Sequence, residues 1–270
     1  MPSPSSSLAG RTVCCDLDGV VWRGDDPIPG AADALGRLRD AGARVVFLTN
    51  NSRAPGVEVA AKLAAHAVPT GVDDIVSSAQ AAAALLAADA APGTRVLTCA
   101  GPGVVDALDA VGLVPVTDDP SAAAVVVGWH RDFDFDRLAC ASAAVRAGAR
   151  FVATNTDATF PDADGLLPGA GALVAAVAVA SGVSPEVAGK PEAPMAALVL
   201  ERIGAVALMI GDRVSTDGGF ASRLGCPFAL VLSGVTGETG GRGTEPRPEV
   251  APRYTATDLA ALTDELLSEA

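Results

Sequence analysis

Short apolar runs that end in polar or acidic residues, each followed by a stretch rich in alanine and leucine, recur along the 270 residues of this chain. The apolar runs fall at 12–15, 44–48, 95–98, 123–127, 150–153, 206–210 and 227–231. Their nearly unbroken apolar character suits strands buried on both faces. Between them, helices are expected at 31–41, 55–66, 78–89, 136–147, 171–181, 193–202 and 217–224. Several of these begin after Pro, Ser or Asp, as helix starts do. Gly42 and Gly148 each follow a helical stretch and precede a strand, which fits a helix stop and a tight turn. This alternation predicts an α/β fold: a parallel sheet with crossover helices.

Half of the residues are apolar and 19% are charged, enough to bury a sizeable core. Aromatic residues make up only 4%, so close-packed helices of small residues are expected. The formal net charge is −13. With no basic excess to neutralise phosphates, a nucleic acid polymer or an anionic membrane surface is not an expected partner. No apolar stretch reaches the roughly 18 residues that a membrane span needs. Residues 1–7, MPSPSSS, read as a frayed terminus rather than a signal peptide. Five cysteines without a CxxC pair fit a reducing, cytoplasmic setting and argue against a zinc ribbon. The segment 233–253 reads as an exposed loop.

Four segments carry chemistry. In the first, the strand 12–15 runs into Asp16 and Asp18. Positions i and i+2 of a strand share a face, so both carboxylates would meet the crevice at its carboxyl end, where open α/β sheets bind ligands. Two such charges roughly 4 Å apart repel by about 4 kcal/mol at an effective dielectric near 20, and so call for a cation or a shared proton. In the second, Thr49, Asn50, Asn51 and Ser52 close another buried strand; a hydroxyl, an amide and main-chain N–H groups there suit phosphate oxygens. The third places Lys190 between Gly189 and Pro191 ahead of a helix, and the fourth ends a strand at Asp212 with Asp217 five positions on. Taken singly, each has a plainer reading: a capped turn, an Asn/Ser turn, an exposed lysine, a helix N-cap. Together they supply carboxylates, a hydroxyl with an amide, and an ammonium, which suits a divalent cation and a phosphate. Mg2+ prefers such oxygen ligands.

The strings DLDGVVWRG, FLTNNS, GKPEAP and GDRVSTD, in this order, resemble the four motifs of the haloacid dehalogenase superfamily. Within it they are similar to the class IIA, NagD-like and p-nitrophenylphosphatase-like phosphatases, over roughly residues 8–233. The resemblance implies a Mg2+-dependent phosphomonoester hydrolase acting on a small phosphorylated metabolite: a sugar phosphate, glycerol phosphate, phosphoglycolate or nucleotide. It implies Asp16 as the nucleophile that becomes an aspartyl-phosphate, and Asp18 as the acid and base. Mg2+ would be held by Asp16, the backbone carbonyl of Asp18 and Asp212, with Asp217 behind them. Thr49, Asn50, Asn51 and Lys190 would clamp the phosphoryl oxygens. Asp18 must be protonated as the leaving group departs, which requires a raised pKa.

The stretch from Thr49 to Lys190 is far too long for one crossover, so a second α/β unit must sit between them. A Rossmann-like parallel-sheet core of residues 8–78 and 183–270 is expected, with an inserted unit of residues 79–182 that resembles a C2-type cap. The string 153–161 is similar to the substrate-facing loop of that cap, and Phe160 is its candidate specificity residue. Gly218-Gly219 puts the start of the following helix in doubt, since each glycine costs about 1 kcal/mol against alanine. Gly101-Pro102-Gly103 and Gly169-Ala170-Gly171 do not complete a dinucleotide fingerprint, and His130 is read as part of a cap turn. Cap-mediated dimers are common in the group, so a homodimer is the expectation. The competing reading is a phosphate-binding or phospho-acceptor regulatory module without turnover.

Overall fold

The computed structural model describes residues 8–162, 165–236 and 250–268. The side chain of Phe160, most of the 233–253 loop and residues 1–7 lie outside the described residues.

The chain opens with β1 (Thr12–Asp16), a small hairpin of β2 (Trp22–Arg23) and β3 (Asp26–Pro27), α1 (Ala31–Asp40), β4 (Arg44–Thr49), α2 (Gly56–Ala65) and β5 (Ile75–Ser77). A second group follows: α3 (Ser78–Ala87), β6 (Arg95–Cys99), α4 (Pro102–Ala110), β7 (Val114–Val116), β8 (Ala124–Val127), α5 (Phe135–Arg146), β9 (Arg150–Ala153), the hairpin β10 (Thr159–Asp162) and β11 (Gly165–Pro168), α6 (Ala170–Ser181) and β12 (Glu186–Val187). The chain closes with α7 (Ala193–Ile203), β13 (Val206–Gly211), a π-turn at Val214–Gly218, α8 (Gly219–Leu224), β14 (Phe228–Val231), β15 (Tyr254–Ala256) and a C-terminal helix, Leu259–Ser268.

Two parallel sheets result, as the alternation predicts. The first has the order β15-β14-β13-β1-β4-β5, and the second, β12-β9-β8-β6-β7. The polypeptide leaves the first sheet after β5 and returns to it at β13. Central β1 pairs in parallel with β4 on one side and β13 on the other. That reversal of strand order opens a crevice at the carboxyl ends of these three strands, and Asp16, Thr49 and Gly211 end them.

Burial on both faces explains the apolar runs. Along β1, Val13 and Cys15 face one hydrophobic cluster with Leu35, Phe47 and Leu63, while Cys14 faces a second with Val46, Leu48 and Met209. The second cluster continues through Leu86 and Leu108 to Val96, Val126 and Val152 of the second sheet. A third cluster, with Val125, Phe151 and Val174, covers that sheet's other face. Helix α3 starts with a capping box in which the Ser77 hydroxyl accepts from Gln80 N at 3.3 Å and Gln80 Oε1 accepts from Ser77 N at 3.0 Å.

Three local outcomes differ from the sequence reading. Helix α4 forms at Pro102, where no helix was expected and Gly101-Pro102-Gly103 did not complete a dinucleotide fingerprint, because Pro102 is pre-set for the first helical turn. The C-terminal helix, which packs Leu259, Leu262 and Leu266 into the first cluster, was not expected, although Asp258 directly precedes it and its Oδ1 accepts from Ala261 N at 2.9 Å. The doubtful Gly218-Gly219 pair lies between the π-turn and α8. A Cβ on Gly219 would sit 3.1 Å from Pro191, and one on Gly218 would sit 3.3 Å from the Phe228 ring. The glycines let this turn approach the segment that carries Lys190. Strands β5, β7, β12 and β15 have only two or three residues each, too few to show a period.

Candidate active site

At the carboxyl edge of the first sheet, Asp16, Asp212 and Asp217 each present a carboxylate oxygen, all within 4.8 Å of one another. Strands β1 and β13 supply Asp16 and the residue before Asp212, and the π-turn folds Asp217 back beneath them. Glycines make room for this. A Cβ on Gly19, whose φ is +85°, would lie 2.5 Å from Asp212 Oδ2, and a Cβ on Gly211 would overlap the Asp217 carboxylate.

Lys190 projects into the cluster from the turn before α7. Its Nζ donates to Asp16 Oδ1 at 2.7 Å and to Asp217 Oδ1 at 2.6 Å. Burial alone would push the Lys190 ammonium pKa down; Asp16 and Asp217 outweigh that and hold it up. Asp217 Oδ2 also accepts from Arg213 N at 3.2 Å, and Asp212 Oδ2 from Val235 N at 2.6 Å. Burial pushes the Asp16 carboxyl upward, opposed by Lys190 and reinforced by Asp217, Asp212 and Asp18. Burial, then Asp217, pushes Asp212 up to about 7.

Three buried carboxylates share one ammonium, so the cluster carries surplus negative charge that a hard cation would neutralise. An all-oxygen donor set in a glycine-lined recess fits Mg2+.

Asp18 sits at the mouth of the cleft. Trp22 Nε1 donates to its Oδ1 at 3.0 Å, and burial raises its pKa despite that bond. The structure thus brings Asp16, Asp18, Asn50, Asn51, Lys190, Asp212 and Asp217 around one cleft. Thr49 lines the adjoining cavity, and its hydroxyl accepts from Asn51 N at 2.9 Å.

Asn50 has its side chain engaged: Oδ1 accepts from Lys190 N at 2.8 Å, and Nδ2 donates to Lys190 O at 3.0 Å and Asp157 Oδ2 at 2.9 Å. It fixes the lysine-bearing turn from 140 positions away.

Sequence reasoning missed Asp157, Arg213 and Trp129, which line the same cleft. Arg213 Nη2 donates to Thr159 O at 3.1 Å, and its Nη1 lies 3.6 Å from Asp157 Oδ1. Burial raises the Asp157 pKa, with Arg213 opposing. Asp157 was in view only as part of the 153–161 string, and no local pattern pairs it with residues 50 and 213. His130, in contrast, is buried beneath its loop.

A family model described as haloacid dehalogenase-like hydrolase matches residues 13–114, and a HAD-hydrolase-like model matches residues 187–262. The chain is 42% identical over 254 residues to a D-glycerol 3-phosphate phosphatase of Mycobacterium tuberculosis, covering 92% of this chain and 69% of that protein. It is 35% identical to an acid sugar phosphatase of Staphylococcus saprophyticus, covering 93% of this chain and 96% of that one. Its backbone matches the magnesium complex of the M. tuberculosis glycerol phosphate phosphatase with a TM-score of 0.86 at 38% identity, over 97% of this chain and 78% of the other. It matches p-nitrophenyl phosphatase from Archaeoglobus fulgidus with a TM-score of 0.85 at 29% identity, over 95% and 99%. Likeness this extensive in both sequence and backbone places the chain in the family of haloacid dehalogenase-like hydrolases.

Proposed function

We propose that this chain is a Mg2+-dependent phosphomonoester hydrolase of small phosphorylated metabolites, working through an aspartyl-phosphate on Asp16. The observation that carries this reading is the Lys190 ammonium bonded to Asp16 and Asp217, with Asp212 beside them, at the carboxyl edge of the sheet. The relatives' names, D-glycerol 3-phosphate phosphatase and acid sugar phosphatase, support phosphorylated metabolites as the substrate class.

An Asp16 oxygen attacks phosphorus as the bond to the leaving oxygen breaks. Asp18 gives its proton to that oxygen; the raised pKa of Asp18 favours the acid form this step needs. Asp18, now a carboxylate, takes a proton from water as the water attacks the aspartyl-phosphate. Phosphate leaves and both carboxyls return to their starting states. Lys190 and the Thr49–Asn50–Asn51 segment hold the phosphoryl oxygens; Asn50 contributes by fixing Lys190 in place. Asp16, the Asp18 carbonyl and Asp212, with Asp217 behind them, would hold Mg2+, which would supply positive charge to offset that of the phosphoryl group.

Residues 79–182 act as the cap over a core of residues 8–78 and 183–270. The bonds from Arg213 to Thr159 and from Asn50 to Asp157 support a closed cleft. Five free thiols support a reducing cytoplasm, and a homodimer follows from the family resemblance.

The test is turnover of p-nitrophenyl phosphate: Mg2+-dependent, abolished by EDTA, and reduced at least about a thousandfold in Asp16→Asn, as removal of a covalent nucleophile does. Stoichiometric phosphorylation of Asp16 without turnover would instead assign the chain to phospho-acceptor modules.

A further inference from the structure

Beside the reaction cleft lies a second cavity, and Trp129 and Asp18 line both. Two arginines from different parts of the fold meet over Trp129. The Arg53 guanidinium carbon lies 5.9 Å from the ring centroid, and that of Arg131 lies 5.7 Å from it. Both arginines line the second cavity and are exposed. Among the described residues, neither has an ion-pair partner. Lys62, on the same wall, differs: it donates to Gly24 O and Asp25 Oδ1 and lies over the Trp22 ring. Glu58, in the first turn of α2, lines the cavity with Asp18 and Asp25.

Both arginines are mounted on fixed backbone. Arg53 O accepts from Gly103 N at 2.7 Å, and Arg53 N donates to Asn51 Oδ1 at 3.1 Å. A Cβ on Gly101 would meet the Arg53 backbone at 2.9 Å, so the loop is pressed against the start of α4. Arg131 follows His130, which is buried, donates from Nδ1 to Gly128 O at 2.9 Å and packs edge-on against Phe133. The Trp129 indole donates to Pro168 O at 3.0 Å.

We infer that Arg53 and Arg131 form a subsite for a second anionic group, a carboxylate or phosphate, on the leaving-group side of the substrate. This rests on the phosphomonoesterase reading above. A leaving alcohol protonated by Asp18 emerges toward the second cavity, since Asp18 lines both spaces. The cations lining that cavity are Lys62, which is bonded to Gly24 O and Asp25, and two guanidinium groups with no ion-pair partner among the described residues, in a chain whose net charge is −13. Guanidinium groups pair with carboxylate and phosphate in a planar, two-point geometry, and stacking on an indole keeps them oriented. The subsite selects phosphomonoesters whose alcohol portion is itself charged over neutral ones of the same size.

The test is kcat/KM on matched pairs: 3-phosphoglycerate against glycerol 3-phosphate for a carboxylate, and fructose 1,6-bisphosphate against fructose 6-phosphate for a phosphate. The wild-type protein is expected to favour the charged member of at least one pair about tenfold, the range of one charge-assisted hydrogen-bond pair. The pair that shows it identifies the anion. Arg131→Gln and Arg53→Gln are each expected to collapse that ratio toward one through KM, with Arg131→Lys keeping part of it. A wild-type ratio at or below one in both pairs, or an equal loss on both members in the variants, overturns the subsite while leaving the phosphatase reading intact. No hydrolysis of p-nitrophenyl phosphate by the wild-type protein overturns both.

Discussion

Lys190 sets the charge balance of the site. It is the one ammonium bonded within a cluster of three buried carboxylates, so without a bound cation that cluster stays electrostatically strained. Asp212 shows the consequence, its pKa raised from 3.8 to about 7 by burial and by Asp217. The folded state therefore holds this proton more tightly than the unfolded chain does, and deprotonation favours unfolding. In the metal-free protein, stability is expected to fall as pH rises from about 4 to about 7 and to stay low above that. Glu186, whose pKa the hydrogen bond from Arg150 lowers, acts in the opposite sense, its contribution being lost as pH falls. Mg2+ removes the penalty by binding the charged form. Thermal unfolding checks this: the melting temperature without metal should drop between about pH 5 and about pH 8, and Mg2+ should raise it more at the higher pH. Asp212→Asn should lessen the metal-free slope without abolishing it, because burial also raises Asp16, Asp18 and Asp157, and a metal-free protein more stable at the higher pH would contradict the sign.

At the scale of elements, the site depends on how strands and helices end. Strand β1 stops at Asp16, β4 at Thr49 and β13 one residue before Asp212, so three neighbouring strands deliver their last residues to one edge. The π-turn then reverses the chain tightly enough to bring Asp217 back to Lys190, which glycines at 211, 218 and 219 permit. Helix α3 matters in a different way. It begins directly after β5 and carries the chain from the first sheet toward the second. Its start relies on the reciprocal bonds of Ser77 and Gln80. Ser77→Ala is expected to lower global stability by about 1 kcal/mol, measured as a shift in urea midpoint with unchanged slope. Ser77→Asp, which keeps the cap, should recover most of it.

At the scale of the whole molecule, the second hydrophobic cluster belongs to both sheets. Cys14, Val46 and Met209 of the first sheet join Val96, Val126 and Val152 of the second through Leu86 and Leu108. Neither sheet can lose its partner without exposing part of this shared apolar interior. Calorimetry is expected to show one cooperative transition rather than two. Leu108→Ala, at a fully buried position, should cost about 2–5 kcal/mol and lower that single transition as a unit. Two resolved transitions, with only one moved by the substitution, would show that the sheets unfold independently.

The sequence alone determined the α/β class and the seven principal strands to within one residue at each end, because buried parallel strands and their polar ends leave a strictly local signature. The four acidic, amide and lysine segments around Asp16, Thr49, Lys190 and Asp212 were legible for the same reason. Helix α4 was hidden behind a glycine-proline turn signal, and the shortest strands had no period to read. Only the tertiary structure decided that Asn50 spends its side chain on Lys190 and Asp157, that Arg213 reaches Thr159, and that Arg53 and Arg131 share Trp129. Those pairings join residues from distant parts of the chain, brought together as the two sheets share one apolar cluster through the helices between them; no local propensity encodes which side chains will meet there.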